Sequence, residues 1–101
     1  MSKTIKLRTK FKKDDLEVRM LLRHPMDVGR ALKNGKTIPP HFISRLRCDY
    51  DGETVVDAHW GAGVSKNPYV AFTIKGAQPG GKLSVNWVDN RGESDYTEIT
   101  V

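Results

Sequence analysis

The sequence predicts an all-β fold, an immunoglobulin-like antiparallel β-sandwich of about seven strands. Three observations carry this. Apolar and polar residues alternate with period two in segment after segment. Turn residues separate most of those segments. The whole pattern fits within 101 residues, enough for one modest core, so a single domain over residues 1–101 is expected.

The first strand sets Ile5, Leu7, Thr9 and Phe11 against Lys6, Arg8, Lys10 and Lys12, an apolar face backed by a row of positive charge. Asp14-Asp15 breaks the run. Leu16, Val18, Met20 and Leu22 then alternate with Glu17, Arg19, Leu21 and Arg23. A third strand places Phe42, Ser44, Leu46, Cys48 and Tyr50 on one face and Ile43, Arg45, Arg47 and Asp49 on the other. Asp51-Gly52 follows, a two-residue hairpin signal, because both central positions of a type I′ turn need positive φ. The remaining strands are Glu53 to Trp60, Tyr69 to Lys75, Leu83 to Val88 and Asp95 to Val101. Pro79-Gly80-Gly81 and Asp89-Asn90-Arg91-Gly92 punctuate them. Trp60 and Trp87 stand on strands and are expected to fill the core. An antibody domain is excluded, since its Cys…Trp…Cys spacing needs two cysteines and the chain has one.

Two segments exceed what a minimal sandwich needs. His24 to His41 is a long connection holding Pro25, Gly29, Gly35 and Pro39-Pro40. Loops of this length are usually functional or disordered. Within it, Asp27 to Leu32 is expected to make a helical turn with Asp27 as its cap. Gly61 to Pro68 is a glycine-rich link.

The chemistry-bearing residues argue against an enzyme. Cys48 shares its strand phase with Leu46 and Tyr50, so it reads as a buried structural thiol rather than a nucleophile. His24, His41 and His59 lack zinc-ligand spacing, and the carboxylates are scattered with no evident acid/base pair. Phosphate-binding glycine motifs do not occur. No metal or cofactor is expected. No apolar run reaches the ~20 residues of a membrane span. The N-terminus has charge but no apolar stretch, so no secretory signal is expected in this chain.

Charge is uneven. Residues 1–50 hold 13 Lys/Arg and 5 Asp/Glu, net +8, whereas residues 51–101 are net −3. A basic face toward an acidic partner follows. Nucleic acid or another polyanion is one such partner, and an acidic protein is another. The Lys6–Lys12 row repeats every ~6.6–6.8 Å, near phosphate spacing. No aromatic interleaves with it on that face, as single-strand binders require. A solvated strand face that discourages edge pairing is the plainer reading, and nucleic acid is not expected as a partner.

Several segments together carry a resemblance. They are His24-Pro25-Met26 after a strand, then Gly29, Ile38-Pro39, Cys48 with Gly52, Asn67-Pro68-Tyr69, Phe72, and Trp87-Val88-Asp89 with Gly92. In this order the chain resembles the SoxZ family from about Val18 to Val101. The resemblance implies a non-catalytic subunit of a SoxYZ sulfur-carrier complex in thiosulfate oxidation. It would scaffold SoxY, whose cysteine on a Gly-rich C-terminal arm carries the sulfur intermediates, with transient contacts to other Sox enzymes. The carrier role is not moved onto Cys48, which stands on a strand. The resemblance also implies the periplasm, reached by export with a signal-bearing partner. Self-association is expected when that partner is absent. His24, Pro25 and Met26 are the candidate partner-binding residues. Pro25 fixes the direction of the loop, Met26 is adaptable, and His24 can hydrogen-bond. A rigid corner with Met26 packed on the core is the alternative for the same residues.

Overall fold

A computed structural model describes residues 3–61 and 63–101. Met1 and Ser2 of the N-terminal reading and Ala62 of the glycine-rich link lie outside the described residues. The strands are β1 (Ile5–Lys12), β2 (Asp15–Leu22), β3 (Arg30–Ala31), β4 (Thr37–Ile38), β5 (Ile43–Tyr50), β6 (Glu53–His59), β7 (Tyr69–Lys75), β8 (Lys82–Asp89) and β9 (Ser94–Thr100). Among the described residues no helix forms.

Seven long strands build a sandwich. β1-β2-β7 make a three-stranded sheet and β6-β5-β8-β9 a four-stranded one, with every pairing antiparallel. The period-two pattern explains the layers, since alternate side chains of each strand meet the opposite sheet. Leu16, Val18, Met20 and Leu22 of β2 are buried against Ile43, Leu46 and Cys48 of β5 and Leu83, Val85 and Trp87 of β8. Trp60 is half-buried and packs against that cluster. The Asp51-Gly52 hairpin has positive φ at both residues, 48° and 82°.

Two expectations are corrected. Asp27 to Leu32 is not a helical turn. Asp27 pairs with His41 in an antiparallel bridge, and Arg30–Ala31 pairs with Thr37–Ile38 as a two-stranded ribbon. Gly29 stops a helix there, with φ of 81° and Pro40 so close that a Cβ would meet its ring carbon at 3.0 Å. Asp27 does cap locally, its Oδ1 accepting from Gly29 N at 3.1 Å, but in a turn. Asn34-Gly35 closes the ribbon and was the sequence signal for it. The second correction concerns Ile43, expected on the outer face of its strand. A register shift between Ile43 and Arg45 turns it inward, and it is fully buried.

Candidate functional site

The period-two pattern of β2 does not stop where the strand stops. His24 and Met26 continue the phase of Leu16, Val18, Met20 and Leu22, and both are 4% exposed. On β8, Asp89 likewise continues the phase of Leu83, Val85 and Trp87 and is 5% exposed. Two strands thus each deliver a polar side chain into the same end of the core, where burial demands partners.

They find each other. His24 Nε2 lies 3.1 Å and His41 Nε2 2.8 Å from Asp89 Oδ2. Asp89 Oδ1 accepts from the backbone N–H groups of Arg91 and Glu93, each at 2.9 Å. A carboxylate offers about four acceptor positions, and here all four are taken. Burial alone would raise the Asp89 pKa. The bonds from His24 and His41, helped by the two backbone donors, outweigh it and hold Asp89 down at about 2. His41 Nε2 also sits 3.3 Å from Glu93 Oε2. The His24 ring meets His41 and Trp87 edge-on, with centroids 4.5 and 5.2 Å apart.

The other hydrogen bonds of His24 fix its tautomer. Met26 N donates to His24 Nδ1 at 3.1 Å, so Nδ1 is the acceptor and the proton resides on Nε2. This bears on metal binding. His24, His41 and Asp89 place ligand atoms within 4.8 Å of one another, a donor set suited to zinc. A metal on Nε2 requires the proton on Nδ1, where it would collide with the Met26 N–H. The donor set is therefore wired as a hydrogen-bond clamp, and its chemistry does not fit a metal. Met26 reinforces the clamp. It has φ of 46°, a conformation uncommon for such a residue, and its Sδ accepts from Ile43 N at 3.2 Å.

Three distant segments converge here. His24 N donates to Asn67 Oδ1, and Asn67 N donates back to the His24 carbonyl, both at 3.0 Å. Leu22 N donates to the Pro68 carbonyl at 2.9 Å. Asn90 holds the returning loop, its Oδ1 accepting from Phe42 N and its Nδ2 donating to the Pro40 carbonyl. His-Pro-Met, Asn-Pro-Tyr and Trp-Val-Asp are thus parts of one junction. Of the three candidate contact residues, His24 and Met26 are buried in it and Pro25 is exposed.

His59 stands elsewhere, largely exposed, 3.7 Å from Asp57. Asp89 does not stand out as a site residue in the sequence, because Asp89-Asn90-Arg91-Gly92 has the composition of a turn. Its signal was a carboxylate in core phase. Cys48 is fully buried, and burial, aided by the charge of Asp49, pushes its thiol up to about 12.

A family model described as "Sulphur oxidation protein SoxZ" matches residues 5–100. No curated protein matches the chain.

Proposed function

Because the chain belongs to the SoxZ family of sulfur-oxidation proteins, matched over nearly its whole length, we propose that it is the non-catalytic subunit of a SoxYZ-type carrier complex. It scaffolds a SoxY subunit that bears the sulfur intermediates on its own cysteine. The observation that carries this reading is the state of Cys48. A fully buried thiol held near 12 presents almost no thiolate at neutral pH and no path to a substrate, so the sulfur-bearing group belongs on a partner. The junction supports the same reading. Both ring nitrogens of His24 and both carboxylate oxygens of Asp89 are engaged in hydrogen bonds within the junction, which suits a rigid support. In this reading Pro25 is the contact residue of the corner, while His24 and Met26 hold it in place. The complex works in the periplasm, and the chain travels there with its partner.

The test is reconstitution. Purified chain and SoxY, mixed at micromolar concentration in moderate salt, should elute as one 1:1 complex. Cys48→Ala in that complex should leave thiosulfate oxidation largely intact, and a thiol reagent should label native Cys48 far more slowly than the unfolded chain. Separate elution, or lost turnover in a folded Cys48→Ala complex, counts against the proposal.

A further inference from the structure

Across the three-stranded sheet the outward residues form four rungs. Lys6 faces Leu21, which faces Tyr69. Arg8 faces Arg19, which faces Ala71. Lys10, Glu17 and Thr73 follow, then Lys12, Asp15 and Lys75. The last two rungs carry their own carboxylates, and Lys12 Nζ lies 3.3 Å from Glu17 Oε1. The first two rungs carry none. Like charges directly opposite on a sheet are unfavourable, and Arg8 and Arg19 are such a pair. Among the described residues neither makes an ion pair, and neither do Lys6, Arg23 or Lys66 beside them.

Apolar surface adjoins these cations. Tyr69 is 62% exposed and Leu21 is half-buried. A shallow depression runs from Arg8 and Arg19 over Leu21 toward Arg23 and Pro25, in two adjoining parts of about 340 and 640 Å³ that share Lys6 and Leu21. No carboxylate lines either part.

We infer that this half of the outer face docks an acidic, extended segment of a partner protein, with carboxylates on Arg8 and Arg19 and an apolar side chain against Leu21 and Tyr69. The guanidinium fork pairs with a carboxylate through two parallel bonds. An extended peptide places same-face side chains ~6.6–6.8 Å apart, the spacing of Lys6, Arg8 and Lys10 along β1. The basic zone is short, because Glu17 and Asp15 close it after two rungs. A nucleic-acid strand wants a longer cationic groove with several stacking rings, and here Tyr69 stands without another aromatic on the four rungs. The inference concerns this surface alone and holds for the chain whatever its permanent subunit.

The probe is the blocked peptide Asp-Glu-Leu-Asp-Glu, titrated at low ionic strength into the full-length, isotopically labelled chain and followed by amide chemical shifts. Shifts should concentrate at Arg8, Arg19, Leu21 and Tyr69. Arg8→Ala with Arg19→Ala should weaken binding by about tenfold or more. Arg45→Ala on the other sheet should leave it unchanged, and the Asn-Gln-Leu-Asn-Gln peptide should not bind. A melting curve establishes that each variant is folded. Shifts centred elsewhere, or undiminished binding by the folded double variant, overturn the proposal. So does an oligothymidylate that binds these residues more tightly than the peptide, which assigns the face to nucleic acid.

Discussion

Strand β2 feeds two polar regions of opposite character. Its inward residues lead through Leu22 to His24, where the charge of Asp89 is buried and answered by four N–H groups. Its outward residues Arg19, Leu21 and Arg23 lie on the sheet face, where cations are exposed and unanswered among the described residues. One residue of phase separates the two. The four-stranded sheet shows that outward charge need not be left open. Arg45 donates to both carboxylate oxygens of Asp57 at 2.9 Å, and Arg47 pairs with Asp49 and donates to Thr54. A polar group buried with all its partners serves the fold. A charge left exposed beside apolar surface is available to another molecule.

The largest test of this contrast removes Asp89. Asp89→Ala strands two histidine donors and two backbone N–H groups in the core, and breaking a buried charge-assisted set costs about 3–5 kcal/mol. Asp89→Asn, which keeps the shape and loses the charge, should cost less. Acid sharpens the same point. Asp89 titrates at about 2 when folded against 3.8 unfolded, so its contribution is complete above about pH 4 and is lost as pH falls toward 2. That window should carry about 2 kcal/mol in the native chain and nothing from this residue in Asp89→Asn. Urea unfolding at several pH values reads both. A benign Asp89→Ala breaks the contrast, because the buried set would then be dispensable.

Next comes Met26→Ala. It empties a buried side-chain site and removes the acceptor for Ile43 N, at about 2–4 kcal/mol. Stability should fall while the acidic peptide binds the outer face as before. Weakened peptide binding in a folded Met26→Ala chain would mean that the two regions are mechanically coupled rather than separate.

The sandwich was legible because its strands follow period two without help from distant residues, as β2 and β8 show most plainly. What distorted the reading was local. The shift after Ile43 breaks the alternation by one residue, and nothing in the identity of Ser44 announces it. Asn34-Gly35 announces the β3–β4 ribbon, but Asp27 in a capping position favours the expectation of a helical turn over residues 27–32. The clamp was half legible. His24 and Asp89 each sit in core phase, a visible oddity, yet their pairing spans 65 positions and needs the fold to bring the two strands together. The docking face was hidden for the same reason. On their own face of β1 the lysines and arginine have no aromatic neighbour, since Phe11 points to the other side, and only the β1-β2-β7 order sets Leu21 and Tyr69 beside them.

The smallest expected effect has an unusual sign. Arg19→Gln keeps the length of the side chain and removes one member of the opposed Arg8–Arg19 pair. On an ordinary paired surface, losing a charge costs stability or does nothing, and Arg45→Ala should behave so. On the open rung the loss relieves repulsion, and the melting temperature should rise by about 2 °C. Helpful side-chain propensity could produce the same rise, so salt decides between them. Repulsion between exposed charges is screened within ~3 Å at 1 M ionic strength, and the gain should shrink there, whereas propensity is indifferent to salt. The acidic peptide supplies the complementary reading. It should raise the melting temperature of the native chain by binding the folded state, and raise that of Arg19→Gln less. A salt-independent gain, or a loss, would mean that Arg19 is already satisfied and that the two regions fed by β2 do not differ in kind.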